Sequence, residues 1–588
     1  MSGHKRKAFI KEYGTDNAMG FANDDVQGAV HITDLRTTRE PLKTKKGKQI
    51  DRKSKLKELK KMKISNDFAE ESSDEELGEN EDEDLFEIPK NDPYLSSFTS
   101  PLITKLHPIK RSHLLEYSVE SNVPLPPHSE KILNFMSTKL SGFSQEQNKE
   151  KSHFIWNSIS NYHDFIYTDR KWKDSEWIRS LLCTHIGNHI LKSLNIRKQN
   201  NKRLKEDPSV ECRDQGFSRC SILYLCPLKN SAKDFVDVLI SVLPWLKCRG
   251  YDRFLTLYGS EDDYDDDEVL DDFAATFRGN VDDNFAMGIK FTKDGLKLLC
   301  TLSKADIIIA SPMALDQNEQ ADMLLSSVEI VVFDQASDLK MQNWTFVETI
   351  LSKLNTIPHS TASSTDIMRV KSHFLDGAGK SVCQLIVFSD YLFPRLNSIF
   401  RNSVNIKGKI KVKGKCNSKL VKGINQVFIP IHSTSVQQCA DARFSYFKKH
   451  LVQTIKEQTV IVVPHYHDYV KLRNWMDDEN KDFEEICEYT NIKDVNRART
   501  LFFNKKVKFL LYTERLWYFK RSPLKATEHL LFYSPPETTT GYNGIVNWLE
   551  NGTVTCLYSR YDHLALERIL GSEKASRAIS QLNILQFK

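Results

Sequence analysis

No two of the eleven cysteines form a C-x-x-C pair, and the closest group, Cys212, Cys220 and Cys226, is spaced by eight and six residues. That spacing fits no zinc knuckle or ribbon, so reduced, buried thiols are expected and no metal. No run approaches the roughly 18 apolar residues that span a bilayer, and the N-terminus lacks the apolar core of a signal peptide. A cytosolic or nuclear protein without membrane contact is expected. Neither sign of charge dominates, with 83 Lys+Arg against 78 Asp+Glu and a net charge of +5. This balance neither demands nor excludes nucleic acid; distribution matters more than the total. A phosphate-cradling glycine loop is also missing. Thr168-Asp169-Arg170-Lys171-Trp172-Lys173-Asp174-Ser175 joins a strand to a helix without one glycine, so Lys173 and Ser175 do not complete G-x-x-x-x-G-K-[ST]. Gly377-Ala378-Gly379-Lys380-Ser381 imitates the end of that motif. Phe374 stands where its first glycine belongs, and Gln384 to Phe388 behind it reads as a strand.

What is present divides the chain. At 588 residues it exceeds what one hydrophobic core usually organises. Residues 1–90 are charged and poor in large apolar side chains, which predicts a disordered tail. A basic block from Arg36 to Lys63 precedes an acidic one from Asp67 to Glu87, suiting phosphates or an import receptor and basic proteins respectively. Residues 91–210 read as a lead-in and the start of a first domain, with Asp164 to Tyr167 a strand and Glu176 towards Leu194 a helix. Over 211–410 short apolar strands alternate with helices: Ile222 to Cys226, Ala305 to Ala310, Val328 to Phe333 and Gln384 to Phe388. That alternation predicts a parallel sheet with functional loops at the strand C-termini. Glu261 to Glu268 is a solvated acidic insertion. The lysine-rich stretch Asn402 to Lys422 fits a basic linker (411–424), an RNA-backbone contact or an exposed edge strand. Residues 425–588 repeat the α/β pattern in Thr459 to Val463, Lys508 to Tyr512 and His529 to Tyr533. His465 and His467 lack a third ligand.

One strand end carries most of the chemical information. Val328 to Phe333 delivers Asp334, where an ATPase holds Mg²⁺, but Gln335-Ala336-Ser337 follows. A neighbouring glutamate commonly positions the attacking water; an amide is no general base and Ser337 is a weak substitute. Two successive blocks of this kind resemble the paired RecA-like domains of DEAD-box helicases with degenerate motifs. Pro227-Leu228-Lys229-Asn230-Ser231-Ala232 and Ser311-Pro312-Met313 occupy the places of RNA-gripping motifs, and Ser389-Asp390-Tyr391 that of the linker between ATP and RNA sites. Thr513-Glu514-Arg515 sits where a helicase senses nucleotide. Gly541 to Asn547 stands in for the arginine-bearing final motif and has no arginine.

Longer strings are more specific. Arg213-Asp214-Gln215-Gly216-Phe217, Asp306 to Pro312, Cys487-Glu488-Tyr489-Thr490, Arg497-Ala498-Arg499-Thr500-Leu501-Phe502-Phe503 and Tyr512 to Leu516 resemble the U3 small nucleolar RNA-associated protein 25 family, also called digestive organ expansion factor. The resemblance implies a nucleolar, helicase-like protein without recognised ATPase motifs. It would act with small-subunit processome proteins, the U3 small nucleolar ribonucleoprotein and pre-rRNA or U3 RNA in early cleavages towards 18S rRNA. The expected fold is α/β, two RecA-like domains with parallel sheets behind a disordered tail. The expected role is a scaffold with no catalytic residue, cofactor or small-molecule substrate. Lys229, Asn230, Ser311, Pro312, Arg497, Arg499, Thr513, Arg515 and Arg521 are candidate contacts to RNA or partners, and a structural salt bridge is at least as good an expectation for the cationic ones. Asp334 and Gln335 mark the degenerate metal-binding position. A divergent RNA-dependent ATPase using Asp334 and Lys173 is the competing reading, and a generic RNA-binding module outside ribosome synthesis a third.

Overall fold

A computed structural model describes residues 88–99, 106–114, 117–125, 146–243, 247–260, 272–292, 295–359 and 365–588. The charged tail up to residue 87 and the acidic insertion Glu261 to Glu268 lie outside the described residues.

The first sheet is built from β1 (Lys110–Leu114), β2 (Tyr117–Ser121), β3 (Asp164–Thr168), β4 (Ile222–Leu225), β5 (Lys247–Arg249), β6 (Ala286–Thr292), β7 (Gly295–Cys300), β8 (Ile307–Ala310), β9 (Ile330–Phe333), β10 (Gln384–Phe388) and β11 (Lys409–Lys413). Their spatial order is β1-β2-β11-β3-β10-β9-β4-β8-β6-β7-β5. The middle run from β11 to β8 is parallel throughout; antiparallel pairings flank it at β2 and β6. Side chains alternate across this sheet into two apolar layers. Ile222, Tyr224, Ile330 and Val332 enter one, and Leu223, Leu225, Val331 and Phe333 the other. Burial on both faces explains why these strands read as unbroken apolar runs.

The second sheet comprises β12 (Asn425–Pro430), β13 (Thr459–Val463), β14 (Phe483–Ile486), β15 (Phe509–Thr513), β16 (His529–Phe532), β17 (Thr553–Tyr558) and β18 (Leu585–Phe587), ordered β14-β15-β13-β16-β17-β12-β18. Every pairing is parallel except that of β18 with β12. The chain therefore builds the α/β class expected, with parallel strands dominating both sheets.

The lysine-rich stretch departs from expectation. Residues 409–413 form neither linker nor edge; they are the interior strand β11, antiparallel to β2 and parallel to β3. Lys409 and Lys411 are buried and Lys413 half-buried because each finds a partner. Lys409 donates to the carbonyls of Arg401 and Ser403, Lys411 pairs with Glu120 at 2.8 Å, and Lys413 with Glu567 at 2.5 Å. Their aliphatic stems supply the strand's hydrophobic mass, as lysine stems do wherever the head group reaches an acceptor.

Beneath the N-terminal ends of these strands lies a buried relay. Glu329, just ahead of β9, accepts Lys371 and lies 2.8 Å from His189 Nε2, whose other ring nitrogen meets the Tyr162 hydroxyl at 3.2 Å. Burial alone pushes the Glu329 carboxyl up; the Lys371 charge and the His189 bond outweigh it and hold the group far below the carboxylate range. A depressed folded value contributes stability that is complete above the unfolded value and disappears as pH falls through the folded one. Lys371→Ala strands Glu329 without its cation and is expected to destabilise the first domain by about 3–5 kcal/mol. The urea midpoint at pH 7 measures it, and the deficit shrinks as pH falls below the unfolded glutamate value.

Candidate functional site

The C-terminal ends of β3, β4 and β9 converge on Asp334, which has no exposed surface. Arg179, on the helix Ser175–Glu206, donates from Nε to Asp334 Oδ2 at 3.0 Å, and Tyr224 of β4 donates its hydroxyl to the same oxygen at 2.8 Å. Arg170, from the glycine-free loop after β3, places Nε 3.2 Å from Oδ1. Both guanidinium groups are almost fully buried. Burial pushes the Asp334 carboxyl up, and the charges of Arg170 and Arg179 overcome it and hold it low. The carboxylate is ionised, but both oxygens are engaged by cations of the chain itself. Gln335 has a left-handed backbone, with φ 61 and ψ 50, and its amide oxygen accepts the Ser231 hydroxyl at 2.6 Å. Lys173 stays exposed over the Trp172 ring, 5.2 Å from its centroid.

Arg170, Lys173, Arg179, Ser231 and Gln335 line a cleft of 1360 Å³ between the two sheets, with Asp338, Asp390, Arg521 and Arg568 also in its walls. Contacts across it tie the domains together. Lys340 meets Glu537 at 2.7 Å, and Arg568 meets the same carboxylate at 3.0 Å while donating to the Leu392 carbonyl and stacking 4.4 Å from the Tyr391 ring centroid. Tyr518 donates to Asp338 at 2.5 Å, Arg515 to the Gln342 carbonyl at 3.0 Å, and Arg521 to both oxygens of Asp272 at 2.6 and 2.8 Å. Leu228, Phe277 and Val281 of the first domain form one apolar cluster with Tyr518 and Phe519 of the second. Among the described residues no group of three or more His, Cys, Asp or Glu side chains is placed to hold a metal ion.

Most sequence-predicted contact residues are engaged within the chain. Lys229 pairs with Asp282 at 2.7 Å, and Asn230 donates to the carbonyls of Thr276 and Arg278. Ser311 caps the short helix Pro312–Asp316, accepting from the Ala314 N–H at 3.2 Å with Pro312 at the first helical position, where proline is favoured. Thr513 donates to Glu488 at 2.7 Å, and Arg515 holds the other oxygen of Glu488 at 3.1 Å. Only Arg497 and Arg499 of that set stand on an outward helix. Gly541 and Gly544 lie on the helix Thr539–Val546, and a Cβ at Gly544 would come within 2.3 Å of the Trp517 ring; this segment packs rather than projects. Arg170, Arg179 and Arg568 were not singled out from the sequence. The one available signal was an arginine where a phosphate loop needs glycine.

A family model described as the UTP25 NTP hydrolase-like domain matches residues 162–410, and the Utp25 C-terminal domain matches 417–587. The chain belongs to the UTP25 family. Similar proteins include the U3 small nucleolar RNA-associated protein 25 of Schizosaccharomyces pombe, 33% identical over 71% of this chain and 68% of that protein. That of Schizosaccharomyces japonicus is 30% identical over 85% and 86%, and the protein NUCLEOLAR FACTOR 1 of Arabidopsis thaliana 33% identical over 76% and 67%. Among solved structures, the yeast DEAD-box splicing factor Prp28 aligns at 13% identity over 79% of this chain and 92% of that one, with a TM-score of 0.27. A likeness that low carries no weight, and the α/β description of this UTP25 member stands on its strand order.

Asp334→Asn removes the anion that two buried arginines share, and the variant is expected to lose about 3–5 kcal/mol of stability in urea unfolding. A second expectation concerns the clasp. Burial and the Glu537 charge push Glu514 up to about 7, while Lys340 and Arg568 hold Glu537, against its own burial, down at about 2. A raised folded value means that Glu514 contributes stability below the unfolded glutamate range, lost as pH rises through 7. Glu514→Gln is expected to flatten this slope and to stabilise the chain at pH 8 by the order of 1–3 kcal/mol, read from urea midpoints at pH 5 and 8.

Proposed function

We propose that this chain is a non-catalytic, helicase-like scaffold of the nucleolar small-subunit processome, needed for early pre-rRNA cleavages and 18S rRNA maturation. Its relatives are named for association with U3 small nucleolar RNA and for the nucleolus, which supports nuclear and nucleolar placement and a U3 ribonucleoprotein partner. The observation that carries the non-catalytic part is the double arginine pairing of Asp334. For Asp334 to accept Mg²⁺, two buried guanidinium groups would have to surrender their carboxylate, and a buried unpaired charge is far costlier than the pair it left. Phosphoryl transfer depends on positioning and on neutralising charge at the transition state. Here Arg170 and Arg179 are committed to the protein's own acids, and Gln335 is tied to Ser231. The clasp across the cleft supports a fixed arrangement of the two domains rather than a cycle of opening and closing.

The competing ATPase reading assigns phosphate to Lys173. That side chain is exposed and touches the core only through its contact with the Trp172 ring, so Lys173→Ala is expected to separate the readings without unfolding the chain. In cells depleted of the native protein, precursors of 18S rRNA are expected to accumulate, and the Lys173→Ala protein is expected to restore processing fully. The purified full chain with Mg·ATP and RNA is expected to show no saturable hydrolysis. Failure of Lys173→Ala to rescue, together with turnover lost in that variant, would establish the enzyme instead. Normal 18S processing in depleted cells would favour an RNA-binding module outside ribosome synthesis.

A further inference from the structure

We infer that the outer face of the helix Ile492–Phe503, with the loop from Lys520 to Lys525, is a binding surface for single-stranded RNA. The inference deepens the ribonucleoprotein reading above and rests on it for the identity of the partner, though not for the chemistry of the surface.

Three observations converge. The first is an aromatic ring out of place: Phe503 is 54% exposed although its neighbour Phe502 is buried in the second domain's core. On this helix Val495, Ala498 and Phe502 face inward, whereas Lys493, Asn496, Arg497, Thr500 and Phe503 are all exposed. The spacing of three and four residues makes them one continuous stripe.

The second is unneutralised charge. Three nearby glutamates are already taken: Glu484 by Arg497 at 3.2 Å, Glu528 by Lys505 at 2.6 Å and Glu457 by Lys508 at 2.9 Å. Lys493, Lys506, Lys520 and Lys525 have no carboxylate partner among the described residues. The helix's own acid, Asp494, sits in its first turn, where it complements the helix dipole.

The third is continuity. Arg499 donates to the Pro523 carbonyl at 2.9 Å, tying the helix to the basic loop, and it is near enough to Lys520 for its charge, with burial, to lower that ammonium. Arg499 and Phe503, four residues apart, share a face. A surface on which Lys493, Lys506, Lys520 and Lys525 outnumber the one helix acid Asp494, beside an exposed aromatic ring, suits a phosphate backbone with an unstacked base on the ring. A protein partner would use the ring, but would leave the lysines unanswered unless it were strongly acidic.

The test uses the full chain and a fluorescent single-stranded RNA of about a dozen nucleotides, titrated at several salt concentrations. Phe503→Ala is expected to weaken binding by roughly 5- to 150-fold, the range of one base–aromatic stack, with the salt slope unchanged. Lys493→Glu with Lys506→Glu is expected to reduce the slope of log affinity against log salt by about 1.4, two single-strand phosphate contacts. All three positions are exposed, so unchanged urea midpoints verify the fold. Unaltered binding in both variants overturns the proposal. Phe503→Ala that leaves RNA affinity intact but abolishes capture of a processome protein assigns the surface to a protein and overturns it too. RNA binding with these signatures, alongside normal 18S processing on depletion, would retain the surface and reject the processome reading.

Discussion

The arrangement around Asp334 is the constraint on which the rest of the molecule turns. It draws together a loop after β3, the N-terminal half of the helix Ser175–Glu206, the middle of β4 and the end of β9. Those pieces are up to 164 residues apart in the chain, from Arg170 to Asp334. Isolated buried charges cost several kcal/mol each, and their attraction offsets that only when the set is complete. Arg179 completes its own share with a second acid, Asp234 at 2.8 Å. Arg170 adds a long contact to Asp390 at 3.9 Å and passes its backbone N–H to the Ser389 carbonyl. The carboxylate at the end of β9 is thus stabilised as protein interior by Arg170, Arg179 and Tyr224.

From that floor the clasp between the domains follows. A cleft filled with paired charges offers the facing domain acids and carbonyls, and the second domain answers with Arg515, Arg521, Arg568 and Tyr518. Neighbouring domains in one chain usually move relative to each other unless their interface is extensive or hydrophobic. Here bidentate Arg521–Asp272, doubly paired Glu537 and the apolar cluster around Phe277 act together, so opening would have to break all three at once. Charged hydrogen bonds of this kind are short and directional, and they fix orientation as well as distance.

Much of the fold was legible because buried parallel strands are written as apolar runs: Ile307 to Ala310, Ile330 to Phe333 and Thr459 to Val463 are buried residue by residue. The strand β11 was not, since Lys409, Lys411 and Lys413 mimic a solvated linker. What buries them is the identity of partners such as Glu120 and Glu567, far away in sequence, which local periodicity does not encode. The site was half legible. The glycine-free loop and the apolar strand ending in Asp334 could be placed from the sequence. That Arg170 and Arg179 pair with Asp334 depends on long-range geometry, and an arginine in an amphipathic helix carries no local mark of its partner.

The signature strings are best understood by asking what each atom in them is bonded to. Asp214 is gripped by Arg369 at 3.0 and 2.7 Å, and at Gly216 a Cβ would fall 2.3 Å from that of Ser327; the backbone passes there only without a side chain. Glu488 is divided between Thr513 and Arg515, and the Tyr489 hydroxyl accepts from Arg515 at 3.1 Å. Each of these side chains is committed to a partner far away in sequence, which ties distant parts of the chain together. The string Arg497 to Phe503 differs, since Ala498, Leu501 and Phe502 serve the core while the remaining side chains lie outside it. Its outer residues face water: Arg497 and Arg499 make exposed contacts with Glu484 and the Pro523 carbonyl, and the Phe503 ring is left uncovered. With Asp334, Glu329 and Glu537 each held by cations of the chain itself, the exposed ring and lysines at this surface are where recognition of another molecule has free energy to gain.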